Sequence, residues 1–311
     1  MARLPRLTLP HQDTFYHLMS RVCGPIDWFP FHDPVAAQAV LLRLFLDVSV
    51  YCCQLADYNL LGNHFHLIAR FLAFQRLARR ELQRRAAILY PRPADRPKTP
   101  AQWKRFNERL FCVSDFMHDV KQAMSEWYNQ HYDRRGPFFA ERFRSVVLAD
   151  QQALIDCMLY VDLNPVRAGL VEKPEDWPWS ALARRARGDE KNLIPLKDIL
   201  KGCKDPRSEY FFRLYWRAGL PVDENRFPSL LIKERNRGFQ GGEYRLRIAA
   251  FSRGILLGTL RQVRRWVLEF RRRGIYRRRK YPIAQLGGLF YTLSEQRGPH
   301  RSPCPFPPPP G

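Results

Sequence analysis

Acidic residues are scarce in this chain of 311 residues. It contains 30 Asp and Glu against 52 Lys and Arg, which gives a formal net charge of +22 and an isoelectric point near 10.2. A surface with this excess of positive charge favours a polyanionic partner, because without one it repels itself. The composition therefore indicates a nucleic-acid partner, with an anionic membrane surface or a ribosomal surface as alternatives.

Long apolar runs and regularly spaced cysteines are also missing. No apolar run approaches the roughly 18 residues of a membrane span, and the N-terminus has no apolar core of signal-peptide length. The seven cysteines are an odd number and include no Cys-x-x-Cys pair, which argues against a disulfide framework or a cysteine zinc site. The sequence thus predicts a cytoplasmic protein without membrane contact, whose cysteines are buried thiols.

Two histidines lie two residues apart in the segment Gly62-Asn63-His64-Phe65-His66-Leu67. The residues from His64 to Phe71 alternate as in a strand, and Gly62-Asn63 predicts a hairpin turn before it. Residues two apart on a strand project to the same face, so His64 and His66 project together while Phe65 enters the core. Such a pair can bind a metal, although it is also common as ordinary surface or core histidine.

A second group of residues lies between Asp150 and Val171. Apolar residues at helical spacing predict a helix that Asp150 caps and that ends at Asn164, before Pro165. Tyr160 and Asn164 are then one turn apart on the same face, which brings a nucleophile and a possible metal ligand together. Alternatively, Tyr160 is a core aromatic residue and Asn164 caps the end of the helix.

These segments resemble the one-tyrosine HUH transposases, in the branch related to the REP-associated tyrosine transposases. The matching motifs are Gly62–Leu67 and the longer string Tyr-Val-Asp-Leu-Asn-Pro-Val-Arg-Ala-Gly, which begins at Tyr160. The match continues into Glu175–Ser180 and back to Phe15–Arg21, which resembles the family's first strand. It covers residues 13 to about 185. Many relatives have a tyrosine where Glu-Arg-Phe-Arg-Ser, residues 141–145, stands in this chain, so a nucleophile assigned to that position would make this protein inactive.

The resemblance implies a metal-dependent transposase that acts on single-stranded DNA, presented as a hairpin. By motif position, His64, His66 and Asn164 would hold Mg²⁺ or Mn²⁺, and Tyr160 would attack a DNA phosphate to form a 5′-phosphotyrosine link and a free 3′ hydroxyl. Two nitrogens and one amide oxygen are a ligand set that suits these ions and does not exclude zinc. Tyr160 is preferred as the nucleophile because it has a ligand-capable residue four positions on; Tyr128 and Tyr132 are its competitors.

The order of predicted elements, β-α-β-β-α-α-β-α, indicates an α+β domain with helices packed on an antiparallel sheet. The resemblance implies that this is a ferredoxin-like core. We expect it to occupy residues 1–190, followed by a basic, mainly helical C-terminal region at 191–295 and a disordered proline-rich tail at 296–311.

The C-terminal region is strongly basic, with sixteen Lys and Arg against three Glu between residues 233 and 281. Interleaved aromatic residues predict DNA binding, because cations hold phosphates and planar rings stack on bases; the alternative is a solvated helix face. A helix over 256–270 would bury Leu260, Val263, Val267 and Phe270. The candidate phosphate ligands are Arg264, Arg265, Arg271, Arg272, Arg273, Arg277, Arg278 and Arg279.

Two readings compete with catalysis. One is a domesticated nucleic-acid-binding regulator that retains the fold without turnover, and the other is a metal-independent structural protein of a ribonucleoprotein particle. A homodimer is one candidate for the oligomeric state.

Overall fold

Seven strands form a single sheet within the part of the chain that the computed structural model describes, which comprises residues 7–25, 27–245, 247–248, 250–272, 274, 282–285 and 290–294. The strand order across the sheet is β2-β3-β1-β4-β5-β7-β6. The strands are β1 (Thr14–Arg21), β2 (Cys53–Leu61), β3 (His64–Phe71), β4 (Arg144–Leu148), β5 (Gly254–Gly258), β6 (Ile283–Gln285) and β7 (Phe290–Ser294).

Twelve α-helices accompany this sheet in the same described ranges. Several begin where the sequence supplies a cap: Asp33 accepts from the Val35 amide, and Asp150 accepts from the Ala153 amide. The helices are α1 (Pro34–Val50), α2 (Arg79–Leu89), α3 (Pro100–Arg109), α4 (Val113–His131), α5 (Gln151–Asp162), α6 (Asn164–Arg167), α7 (Ala181–Ala186), α8 (Leu196–Ile199), α9 (Pro206–Ala218), α10 (Pro228–Asn236), α11 (Ala250–Arg253) and α12 (Leu260–Arg272).

The first four strands have the ferredoxin-like arrangement. β1 is antiparallel to both β3 and β4, and β2 pairs with the outer side of β3. The order β2-β3-β1-β4, with α1 between β1 and β2 and α4 before β4, is that of a β-α-β-β-α-β unit. The α+β prediction is confirmed, and the predicted strand His64–Phe71 and helix Val113–His131 have the predicted bounds.

Side-chain alternation gives this sheet two different faces. Tyr16, Leu18, Phe65 and Leu67 enter the core formed with α1 and α4, which we call the α1–α4 face. Met19 and the strand residues that share its side of the sheet pack with α5, and we call this side the α5 face. Phe65 therefore enters the core as predicted, and the two histidines beside it lie on the α5 face.

The predicted helix over 256–270 is wrong at its start. Residues 254–258 are strand β5, which pairs in parallel with β4 and antiparallel with β7, and α12 begins only at Leu260. Ile255, Leu256 and Leu257 are buried between neighbouring strands, and a short apolar run of this kind fits a strand or a helix equally well by periodicity. Three of the four residues predicted for the apolar face of α12, Val263, Val267 and Phe270, are buried, whereas Leu260 is half-buried.

Strands from both sides of residue 190 thus belong to one sheet. In the described residues, every helix is too short or too polar to cross a bilayer. The predicted tail at 296–311 lies outside the described residues.

Candidate active site

The His64–His66 pair is held at the start of β3 with both rings on the α5 face. The ring centroids are 5.1 Å apart. The Nδ1 atom of His64 donates to Oδ1 of Asn63 over 3.0 Å, so the neutral ring has its bare nitrogen at Nε2. The geometry agrees with the sequence prediction that the two imidazoles project together.

A third histidine, which sequence reasoning did not single out as a site residue, completes the cluster. His17 on β1 is fully buried, its Nε2 lies 2.9 Å from Nδ1 of His66, and the two rings are stacked with centroids 5.1 Å apart. Its other nitrogen, Nδ1, donates to the backbone carbonyl of Phe251 over 2.7 Å. Strand alternation is the signal that could have found it. His17 and Met19 lie two residues apart on β1 and share a face, and Met19 lies opposite His66.

Burial and nearby cations keep these three imidazoles neutral. Burial lowers the pKa of His17 to about 4. Burial, together with the charges of Arg21 and Arg247, lowers the pKa of His64 to about 4. The pKa of His66 lies well below its usual value because of burial and its neighbouring histidines. Neutral imidazole is the form that can bind a metal ion.

Tyr160 occupies the last turn of α5 and belongs to the core of the α5 face. Asn59 lies directly opposite His66 in the β2–β3 pair, and its Nδ2 donates to the Val161 carbonyl over 3.0 Å. This bond fixes the end of α5 against β2 at the level of His66. The helix ends at Asp162, and Asn164 begins the separate short helix α6, so the predicted single helix through Asn164 is two residues too long. Pro165, which lacks an amide hydrogen, accounts for the break.

The Tyr160 side chain lies between two planar groups. Its ring stacks on Phe251 with centroids 4.5 Å apart and an interplanar angle of 17°. The Arg167 guanidinium lies 4.1 Å from the ring centroid. With 3% of its surface exposed, Tyr160 is also part of the core, which is the alternative that its sequence environment allowed.

Asn164 accepts a hydrogen bond from the same arginine, Arg167. The Nη2 atom of Arg167 donates to Oδ1 of Asn164 over 2.5 Å and also to the Tyr160 carbonyl. The buried Nδ2 of Asn164 has no hydrogen-bond partner among the residues that the structure describes. An amide oxygen has two lone pairs, so Oδ1 can accept from Arg167 and still have one lone pair left.

His64 and His66 are neutral imidazoles of the kind that bind divalent cations, and Oδ1 of Asn164 is the amide oxygen that the sequence prediction adds to them. Each histidine has its Nδ1 in a hydrogen bond, which is how metal-binding imidazoles are usually held. Among the described residues, no group of three or more His, Cys, Asp and Glu is arranged as a metal site. A metal here would therefore depend on the amide oxygen and on ligands from the substrate or water.

Two buried carboxyl groups lie beside this site. Asp57 on β2 and Asp162 on α5 interact, Tyr210 donates to Asp162 over 2.6 Å, and the Arg185 guanidinium lies 3.9 Å from Asp57. Burial raises the pKa of both carboxyls, and that of Asp162 reaches about 7. At least one of the two is therefore protonated under mildly acidic conditions.

The predicted phosphate ligands on α12 lie on its outer side. Arg264, Arg265, Arg271 and Arg272 are exposed, and Arg265 and Arg272 line a cleft of about 620 Å³ beside Trp266. Residues Arg273, Arg277, Arg278 and Arg279 lie outside what the structure describes. Their predicted role in DNA binding stays a prediction.

Comparison with known proteins gives one structural likeness. No protein-family model and no curated protein matches the chain. A solved structure of a REP-associated tyrosine transposase bound to a REP hairpin is similar, with 14% sequence identity, a TM-score of 0.41, and coverage of 63% of this chain and 89% of that one. It belongs to the branch that the sequence motifs indicate. At this level of likeness, any function of this chain has to be argued from its own residues.

Proposed function

We propose that this protein is a metal-dependent single-stranded DNA endonuclease and strand transferase. The observation that supports the proposal is that His64 and His66 lie on the α5 face of a ferredoxin-like sheet, and that the end of α5, which carries Tyr160, is bonded to β2 at the level of His66. Arg167 links the Tyr160 carbonyl to Asn164. Residues 1–190 would supply the chemistry, and residues 191–295 would add DNA-binding surface.

Tyr160 would act as the nucleophile. Its hydroxyl oxygen forms a bond to the phosphorus of a phosphodiester, the bond from phosphorus to the 3′ oxygen breaks, and the hydroxyl proton ends on that 3′ oxygen. The products are a 5′-phosphotyrosine link and a free 3′ hydroxyl. Attack by another 3′ hydroxyl on this link reverses the bond changes and joins two strands.

His64, His66 and Asn164 would hold Mg²⁺ or Mn²⁺. The bound ion would polarise the scissile phosphate and stabilise the departing 3′ oxygen. The histidine side chains contribute by remaining neutral, and their Nδ1 hydrogen bonds fix the direction of each ring.

Arginine side chains near the histidines would bind the phosphate. The charges of Arg21, Arg167 and Arg247 all act on the histidine pair, and Arg21 and Arg247 are exposed. A cationic rim of this kind suits a DNA backbone. That the strand is single and presented by a hairpin follows from the sequence resemblance.

A second function, binding of nucleic acid without cleavage, is favoured by the position of Tyr160. Its ring is covered by Phe251 and Arg167, and Oδ1 of Asn164 already accepts from Arg167. A domesticated regulator could retain the basic surface with a tyrosine in this position. The two functions differ in whether DNA is cut.

The test uses a pool of single-stranded hairpins labelled at either end, incubated with the full chain and Mn²⁺. We expect the 3′-end label to migrate with the protein on a denaturing gel, and the 5′-labelled fragment to be released with a free 3′ hydroxyl. A chelator should abolish both products. Binding that a chelator does not change, with every strand intact, would instead support the regulator.

A further inference from the structure

We propose that His17 is a positioning residue that holds His66 with its Nε2 bare, by connecting His66 to the backbone carbonyl of Phe251. The three groups form a continuous hydrogen-bonded chain on the α5 face. The role that we assign to these hydrogen bonds rests on the proposed binding of metal by His66, whereas the hydrogen bonds themselves do not depend on it. His17 lies in the strand segment that resembles the transposases, whereas Phe251 lies outside every matching segment.

The direction of the chain follows from the atoms at its end. A backbone carbonyl oxygen has no hydrogen and can only accept, so Nδ1 of His17 donates to Phe251 over 2.7 Å. A neutral imidazole carries one N–H, which leaves Nε2 of His17 as an acceptor. Nδ1 of His66, 2.9 Å away, must then donate. The single proton of neutral His66 is thereby fixed at Nδ1.

The opposite direction would require a charged ring. If Nε2 of His17 donated to His66, His17 would carry protons on both nitrogens and become an imidazolium. His17 has no exposed surface, and a buried unpaired charge is costly. The neutral arrangement is therefore favoured, and it leaves both histidines of the pair with bare Nε2 atoms.

The carbonyl that accepts the last of these hydrogen bonds belongs to a residue far from His17 in the sequence. Phe251 is 234 residues from His17 and lies in α11, next to β5. Its ring also stacks on Tyr160. Phe251, in the C-terminal region, thus contacts the histidines through its carbonyl and the proposed nucleophile Tyr160 through its ring.

The experiment measures the tautomers of His17 and His66 by ¹⁵N NMR in metal-free full-length protein, and separately measures Mn²⁺ affinity. In the parent we expect both histidines to be protonated at Nδ1. His17→Leu removes both hydrogen bonds, so His66 should redistribute toward the Nε2–H tautomer and Mn²⁺ affinity should fall about 10- to 100-fold. His17→Gln retains one donor and one acceptor and should restore most of the affinity.

Leu18→Ala, on the α1–α4 face, is the matched control: it should lower stability without changing the His66 tautomer. Nε2–H on His66 in the parent would overturn the proposal, as would unchanged tautomer and affinity in His17→Leu. Should His17→Leu not fold, the parent tautomers and His17→Gln still decide. Nδ1–H tautomers in a parent that binds no Mn²⁺ would support the hydrogen-bonded chain while overturning the proposed function.

Discussion

The two faces of the sheet differ in the chemistry of the strand residues that they bury. β1 and β3 present Tyr16, Leu18, Phe65 and Leu67 to the α1–α4 face, whereas on the α5 face the same strands bury His17 and His66 beside Met19 and Ile68. Apolar side chains gain stability on burial, while each buried polar group costs free energy unless it is paired. The α5 face therefore carries residues that stability alone does not select, which is the usual mark of a functional site.

The largest difference between the two faces should be seen in covalent DNA attachment, when one tyrosine on each face is replaced by phenylalanine. Tyr160→Phe removes the proposed nucleophile and should abolish covalent DNA attachment while leaving binding near the parent level. Tyr58→Phe removes a hydroxyl from a buried residue of the α1–α4 face and should leave attachment intact. Adducts are counted on denaturing gels. Attachment that persists in Tyr160→Phe would move the nucleophile elsewhere.

Adjacent residues of β3 provide a second test. His64→Ala and His66→Ala should each lower Mn²⁺ affinity by more than about 100-fold, beyond what loss of an outer partner costs. Phe65→Leu should leave Mn²⁺ affinity unchanged and lower the free energy of unfolding by about 1–2 kcal/mol. Titration calorimetry and urea unfolding measure the two quantities. Equal Mn²⁺ affinity in the parent and both alanine variants would contradict the metal assignment.

A smaller effect is expected on α12. Arg264→Gln and Arg265→Gln each remove one exposed cation, and each should flatten the slope of log affinity against log salt by about 0.7 for single-stranded DNA. Arg84→Gln on α2 is the control, because Arg84 is already paired with Glu81. Slopes that match the parent would leave α12 as a solvated helix face.

The smallest effect is a pH dependence of stability on the α5 face. Burial and the Asp162 charge raise the pKa of Asp57, so the folded protein keeps a proton that the unfolded chain releases above about pH 4. Stability should therefore fall as the pH rises from about 4 to about 7, where Asp162 also titrates. Asp57→Asn, measured by urea unfolding at pH 5 and pH 8, should reduce this difference. A larger difference in the variant would contradict the assignment.

The sequence predicted the elements that depend on neighbouring residues, and it did not predict the contacts between residues far apart in the chain. The alternation in His64–Phe71 predicted which residues of β3 share a face, and Asp150 marked the start of α5, because these signals lie within a few residues. The bond from His17 to Phe251 joins residues that no local period relates. Strand β5 was missed because its apolar run is short and buried on both sides.

The most direct test of the proposed site identifies the residue that carries DNA. The adduct formed with Mn²⁺ and a single-stranded hairpin is digested with protease and nuclease, and the modified peptide is sequenced by mass spectrometry. We predict a nucleotide 5′-phosphate on Tyr160 and on no other residue. A modification on Tyr128 or Tyr132, on α4 and at its end, would contradict the assignment of the α5 face as the catalytic one.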